Sequence, residues 1–396
     1  MPVPFWAPAR EYTKYKNEID TAMQEVQAKG ELVLGFSPEI EKFEKSFADF
    51  IGVKHCIMVG SGTQALAVAY KSVGIGEHPC GKCLQCLENT EKPEIVRAFN
   101  CTNVVRDEVI TTSHTFIATI DQIVRCGAHP VLVDIDETTG LIDPELIENA
   151  ITPRTKAIVP VHLEGKMCDM GRIMDIARKH NLLVIEDSAQ AIGATYVGQK
   201  AGSIGDLGCY SFFPAKVLGV PGNGGAVTTN NDEFAKKARM IRCNYNIGKN
   251  QDYDVNWGDN YEPDAIHAAV LNVKLPYLKE RLEKRKEVAN RYYTRLAKYP
   301  IILPVIQEGR IYQDFVIRLR TTEERDKLAA FLKERGIGVL GHNLRPNHLY
   351  PALGFSLSLP KTEEYIATQI RIPCNPDCLD SEVREVLEAF DAFYAQ

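Results

Sequence analysis

A chain of 396 residues, 45% hydrophobic and 25% charged, has the balance of a soluble globular protein long enough to bury the cores of two associated domains. Its formal net charge of −6 argues against a general nucleic-acid surface, and no apolar run approaches the roughly 20 residues that span a bilayer. The start, Met1-Pro-Val-Pro-Phe-Trp, has neither a basic segment nor an apolar h-region, and the cysteines, eleven and therefore odd in number, suit a reducing compartment. The cytoplasm is the expected location, with neither a membrane nor a nucleic acid as partner.

Gly60-Ser-Gly-Thr63 precedes the helical run Ala65-Leu-Ala-Val-Ala-Tyr. Small residues opening a helix expose N–H groups that suit a phosphate, although the same text fits an ordinary N-cap. From about residue 105, β-branched runs alternate with helical patterns. Val109-Ile-Thr-Thr leads to Thr115-Phe-Ile-Ala-Thr-Ile, Pro130-Val-Leu-Val-Asp to Pro144-Glu-Leu-Ile, and Ala157-Ile-Val-Pro-Val-His to Met170-Gly-Arg-Ile-Met. Leu182-Leu-Val-Ile-Glu-Asp187 follows. This order predicts βαβ units and a mostly parallel sheet covered on both faces, with ligands beyond the carboxyl ends of the strands. A charged helical segment from Asp264 to Arg295, apolar at Ala268, Leu271, Leu275 and Leu278, leads into a smaller α+β domain. That domain holds the strand Phe315-Val-Ile-Arg-Leu and helices near Glu323–Arg335 and Ser381–Tyr394. The expected division is 1–265 and 266–396, with no internal repeat.

Chemistry concentrates in two pieces. Val184-Ile-Glu-Asp-Ser-Ala-Gln190 closes an apolar strand with a carboxylate, and Tyr210-Ser-Phe-Phe-Pro-Ala-Lys216 places a lysine after a second strand-like run. A lysine that forms an aldimine and a carboxylate that keeps a pyridine nitrogen protonated are what pyridoxal 5'-phosphate (PLP) requires. Asp187 alone reads equally as a loop carboxylate after a strand; beside Lys216 it reads as the ring partner. Lys216 is then also the general base and acid of the proton shift.

These segments resemble the DegT/StrS-type sugar aminotransferases, fold type I PLP enzymes. The resemblance covers nearly the whole chain, through Gly60–Leu66, Ser113–Thr119, Val161–Gly165, Glu186–Gln190, Gly205–Lys216, Gly224-Gly-Ala-Val-Thr-Thr and, more loosely, Gly341–His348. It implies a large domain with a mostly parallel mixed sheet flanked by helices, and a smaller C-terminal α+β domain. By the same resemblance Thr63, Gln64 through its backbone, and Ser211 hold the cofactor phosphate, Gly62 is a further cofactor-binding residue, Gln190 bonds the ring hydroxyl and Phe116 stacks on the ring. For Phe116 plain core packing is the alternative, and His162 reads as structural. Related dehydratases carry histidine where this chain has Lys216, which favours amino transfer. A Gly-Tyr-Asn-Tyr-Arg motif of the family supplies an Asn to the other subunit's phosphate. This chain reads Gly258-Asp-Asn-Tyr-Glu-Pro263, so Asn260 is retained and implies a homodimer with shared active sites, while Glu262 and Pro263 depart from the motif. Arg345 and His348 are candidate substrate contacts, with solvated loop residues as the alternative.

Residues about 77–106 exceed the family pattern and contain Cys80-Gly-Lys-Cys83-Leu-Gln-Cys86, followed by Cys101. Three thiolates at this spacing reach one ion, and Cys101 closes a tetrahedral shell. The text resembles the small zinc module of bacterial clamp-loader ATPases; zinc is the first expectation, an iron–sulfur cluster the second, and a loop of reduced cysteines the alternative.

The resulting expectation is a PLP-dependent aminotransferase moving an amino group from L-glutamate to a keto group of a nucleotide-linked sugar through a Lys216 aldimine. The rivals are an acceptor that is a non-nucleotide ketone (a cyclitol or aminoshikimate-type compound), a PLP dehydratase, and a non-catalytic relative that binds a partner through the cysteine insertion.

Overall fold

A computed structural model of the chain describes residues 2–32, 37–76, 106–243, 259–342 and 344–396. Two helices come first, α1 (Pro8–Lys29) and α2 (Pro38–Ile51), each with a proline in its first turn and a left-handed glycine, Gly30 or Gly52, at its end. The large domain continues with β1 (His55–Val59), α3 (Gly62–Ser72), β2 (Glu108–Thr112), α4 (Ala118–Arg125), β3 (His129–Val133), α5 (Pro144–Asn149) and β4 (Thr155–Ile158). After these come α6 (Met170–His180), β5 (Leu183–Asp187), a short hairpin of β6 (Thr195–Tyr196) and β7 (Gln199–Lys200), β8 (Leu207–Ser211), β9 (Gly225–Thr229) and α7 (Asp232–Arg242).

Seven strands form one sheet in the order β1-β9-β8-β5-β4-β2-β3. β9 runs antiparallel to both of its neighbours, and the pairs from β8 through β5, β4 and β2 to β3 are parallel. Alternate residues feed two cores. Cys56, Met58, Ile110, Ile158, Val184, Tyr210 and Ala226 join one cluster, whereas Ile57, Val59, Val109, Ala157, Ile185, Cys209 and Val227 join the other, together with α3. A strand buried on both faces needs apolar residues at every position, which is why the strand text lacks an alternating polar face.

The predicted long helix is real but stepped. α8 (Ala265–Lys274) passes through a 3-10 turn at Leu275–Tyr277, where Pro276 removes a donor, into α9 (Leu278–Leu296). Ala268, Leu271, Leu275 and Leu278 pack in the large-domain core, while Val288, Ala289, Tyr292 and Leu296 belong to the core of the smaller domain. The smaller domain pairs β10 (Phe315–Arg318) antiparallel with β11 (Gln369–Ile372) and adds α10 (Thr322–Glu334), α11 (Pro360–Thr368) and α12 (Asp380–Phe393). The N-terminus completes it: Val3 bridges to Ile337 and is buried in that core. Among the described residues no helix is long and apolar enough to cross a membrane. Cys80, Cys83, Cys86 and Cys101 lie outside the described residues.

Candidate active site

β5 ends in two carboxylates that point to opposite faces. Glu186 turns to the side away from α3, where its oxygens accept from His162 Nε2 at 2.8 Å and from the backbone N–H groups of Gly202, Ile204 and Gly205 at 2.9, 2.8 and 2.7 Å. It anchors a loop. Asp187 shares the α3 side with Ile185. Its Oδ2 accepts from the Thr119 hydroxyl at 2.7 Å and its Oδ1 from Ala189 N–H at 3.2 Å. Burial pushes the Asp187 carboxyl up from its ordinary value, against the opposing pull of Thr119, Ala189, Lys216 and His162. A cationic nitrogen placed against it is the partner that restores its charge.

Lys216 stands on the loop that leaves β8. Phe213-Pro214-Ala215-Lys216 is a β-turn with proline at its second position, closed by Lys216 N–H donating to the Phe213 carbonyl at 2.8 Å. Proline cannot continue the ladder, so the strand ends here. The loop closes where Val220 N–H reaches the Phe212 carbonyl at 2.8 Å and Phe212 N–H reaches Gly224 O at 2.7 Å. Burial draws the Lys216 ammonium below the usual lysine range, while the Asp314 and Asp187 carboxylates counter it and Arg371 adds to it. Register puts Asp187 opposite Cys209 of β8, so both groups arise from adjacent strands at one end of the sheet.

The helix expected to hold a phosphate begins at the same end. Ser61 caps α3, its hydroxyl accepting from Gln64 N–H at 3.2 Å. Gly62 is required by proximity: a Cβ there would lie 2.7 Å from Ser211 Cβ and 3.1 Å from Ser211 Oγ. The amino end of α3, with Thr63 and Gln64, therefore meets the Ser211 hydroxyl in one cradle, and Oε1 of Gln64 is buried without a hydrogen-bond partner. Helix N–H groups beside a hydroxyl suit a phosphate. Phe116 is 68% exposed, an unusual state for a phenyl ring in a β-rich run and one that suits a face awaiting a flat ring. Gln190 accepts through Oε1 from Glu164 N–H at 2.9 Å, which leaves its amide nitrogen as the group to offer a ring oxygen. The residues fit PLP.

The remaining predicted residues divide. Asn260 is exposed, fixed by the bonds of Asp259 N–H to Ile241 O and Tyr261 N–H to Arg242 O at 3.0 and 2.8 Å. Arg345 is exposed, its guanidinium 5.9 Å from the centre of the Tyr350 ring. His348 is buried with both ring nitrogens engaged, Nδ1 with Ser113 Oγ at 2.8 Å and Nε2 with Glu363 Oε1 at 3.1 Å. It ties its loop to the large domain. Among the described residues no group of three or more His, Cys, Asp or Glu side chains is set to hold a metal. Thr119, the donor to Asp187, is a residue that sequence reasoning misses, because its spacing from Asp187 in the chain gives no sign of contact.

The family model of the DegT/DnrJ/EryC1/StrS aminotransferase family matches residues 13–81 and 95–391. The chain belongs to that family. It is an aminotransferase with the fold type I architecture of its relatives. The break in the match, between 81 and 95, falls inside the cysteine-rich segment and is narrower than the expected 77–106. The chain is 37% identical to a "Pleiotropic regulatory protein" of Geobacillus stearothermophilus over 100% of this chain and 99% of the relative. It is 35% identical to dTDP-3-amino-3,4,6-trideoxy-alpha-D-glucose transaminase of Streptomyces venezuelae, over 98% of this chain and 95% of the relative. The crystal structure of NtdA from Bacillus subtilis with bound cofactor PMP matches with a TM-score of 0.85 and 30% identity, covering 100% of this chain and 86% of that one.

Proposed function

We propose that this aminotransferase uses PLP to move an amino group from L-glutamate onto a keto group of a nucleotide-linked sugar, as a homodimer. The observation that carries this reading is the convergence of Asp187, Lys216, the α3–Ser211 cradle and exposed Phe116 at one end of the sheet. The sugar-nucleotide acceptor is supported by the transaminase relatives, and glutamate by the family resemblance.

Bound PLP supplies an electrophilic carbonyl and a ring that accepts an electron pair from the substrate carbon. The amino end of α3 and the Ser211 hydroxyl would hold its phosphate. Asp187, its two oxygens aimed by Thr119 and Ala189, would hold the proton on the ring nitrogen. The Gln190 amide would donate to the ring oxygen, and Phe116 would lie against the ring. Lys216 Nζ, drawn down by burial, is free of its proton for a larger share of the time than a surface lysine. With the cofactor bound, it would take the proton from the carbon bearing the amino group and would give one back to the acceptor carbon when that carbon receives the amine. Asn260, exposed and held by its neighbours, reaches the phosphate bound by a second copy, and Arg345 contacts the acceptor. Cys80, Cys83, Cys86 and Cys101 hold zinc, with an iron–sulfur cluster as second choice, on their spacing alone; metal analysis of the native protein and of Cys83→Ser tests that part, and no metal in the native protein removes it.

The experiment is the visible absorbance of purified protein before and after L-glutamate, followed by a panel of nucleotide-linked keto-sugars. A cofactor band that responds to glutamate supports cofactor and donor. An unresponsive band overturns the donor, and no band after PLP is supplied overturns the reading. A non-catalytic role would sit poorly with Lys216 and Asp187 both in place.

A further inference from the structure

The segment that carries the chain from α9 into β10 crosses directly over the lysine loop. Its path is tightly constrained. Gly165 has φ +82 and lies so close that a Cβ would be 2.8 Å from Gln313 N, 2.9 Å from Tyr312 N and 2.9 Å from Ile311 Cγ1. Ile311 N–H donates to the Gly165 carbonyl at 3.1 Å. Tyr312 takes a left-handed φ of 53, a strained conformation for a non-glycine residue that persists only where the surroundings fix it. Arg285 of α9 does so, donating from Nη1 to the carbonyls of Tyr312, Gln313 and Cys374 at 3.3, 3.1 and 2.8 Å.

From this held backbone the Gln313 side chain, 5% exposed, reaches the lysine loop. Its Oε1 accepts from Val217 N–H at 3.1 Å, and its Nε2 donates to the Ala215 carbonyl at 2.9 Å. The two bonds fall on the residues immediately before and after Lys216. A primary amide is the side-chain group that offers one donor and one acceptor side by side, so it matches the peptide groups on both sides of a single residue. The next residue, Asp314, is buried, bonds Arg371 Nη1 through Oδ2 at 2.7 Å, and is the foremost carboxylate acting on the Lys216 amine. One strap thus holds the lysine's backbone and sets the charge around its head.

We propose that Gln313 is a positioning residue of the reaction: its amide, fixed from the smaller domain, locks the peptide groups flanking Lys216 and thereby sets the direction in which the lysine amine enters the site. This rests on the reading of Lys216 as the catalytic lysine. An ordinary domain tie would not need to span that residue. Where the reacting amine is misplaced by about 1 Å, roughly 100-fold in rate is lost.

Two variants test it. Gln313→Leu keeps much of the volume and removes both bonds. Gln313→Glu keeps the acceptor for Val217 N–H and loses the donor to Ala215 O. Three readouts are taken: kcat against KM for the donor, the pH midpoint of the bound cofactor's absorbance, and, in cofactor-free protein, the rate at which Lys216 is acylated, followed by peptide mass. The charged groups bearing on that amine are Asp187, Asp314 and Arg371. Gln313→Leu is expected to lower kcat by roughly 10- to 100-fold with KM changed less than about threefold. It is also expected to shift both the absorbance midpoint and the acylation rate, with Gln313→Glu intermediate in kcat. If Gln313→Leu does not fold, the Gln313→Glu readouts decide alone. Lower thermal stability with kcat, absorbance midpoint and acylation rate all unchanged makes Gln313 a structural tie and overturns the proposal. Borohydride reduction of the holoenzyme separates the two readings: cofactor fixed to a lysine other than Lys216 sinks the assignment of Lys216 itself.

Discussion

The hydroxyl of Thr119 donates to Oδ2 of Asp187 across 2.7 Å, joining the first turn of α4 to the end of β5. Thr119 is fully buried, and its oxygen lies 2.7 Å from the Thr115 hydroxyl, so a chain of two hydroxyls ends on the carboxylate. A buried carboxylate with few donors swings between rotamers and drifts toward its neutral form; this chain fixes its direction and opposes the upward push of burial on its pKa.

Replacing Thr119 by valine keeps the shape and deletes that donor. A hydrogen bond to a charged acceptor contributes about 1.5–3 kcal/mol, so kcat/KM is expected to fall roughly 10- to 100-fold with the fold intact by circular dichroism. Unchanged kinetics would mean that Ala189 N–H alone suffices to hold Asp187.

Gly62→Ala forces a methyl group to within 2.7 Å of Ser211 Cβ. Overpacking of this kind costs about 1–3 kcal/mol, and here the displaced atoms belong to the phosphate cradle. Cofactor titration is expected to show roughly tenfold weaker binding alongside the loss seen in urea unfolding. A drop in stability with cofactor affinity retained would place the phosphate elsewhere.

Arg345 and His348 are three positions apart yet should behave oppositely. His348→Ala leaves Ser113 and Glu363 without their buried partner and is expected to cost about 1–3 kcal/mol of stability. Arg345→Ala, at an exposed site, is expected to stay within about 0.5 kcal/mol while raising KM for the acceptor. A normal acceptor KM in Arg345→Ala would remove it from the substrate site.

His114 sits two residues before Phe116, its Nδ1 2.7 Å from the Gly140 carbonyl and its Nε2 buried without a partner. Burial lowers its pKa from 6.5 to about 4, opposed by Glu164 and the Gly140 carbonyl and assisted by Lys166 and Arg371. Between those values the unfolded chain binds a proton that the folded protein refuses. The stability associated with neutral His114 is therefore complete above pH 6.5 and is lost as pH falls toward 4. The loss amounts to roughly 3 kcal/mol, at about 1.4 kcal/mol per pH unit. Urea unfolding of wild type and His114→Asn at pH 7.5 and 4.5 measures it, the variant keeping a donor for Gly140 O; equal slopes with pH in the two proteins would exclude His114 as the source.

Those parts of this protein whose physics is local can be read from the chain alone. A strand buried on both faces must be written in continuous apolar residues, so the βαβ alternation, Asp187 at the end of one strand and Lys216 on the loop after another were legible. The proline turn that presents Lys216 is likewise a local requirement of backbone geometry. Whatever depends on contacts between distant segments emerges only on folding. β11, four residues with an arginine in their midst, reads as nothing until β10 pairs with it. His348 looked like Arg345 from the text and proved buried, because only packing determines which loop residue faces inward. Thr119 reaches Asp187, and Gln313 reaches across Lys216, through space rather than along the chain, and no periodicity or motif encodes a distance between residues so far apart in sequence.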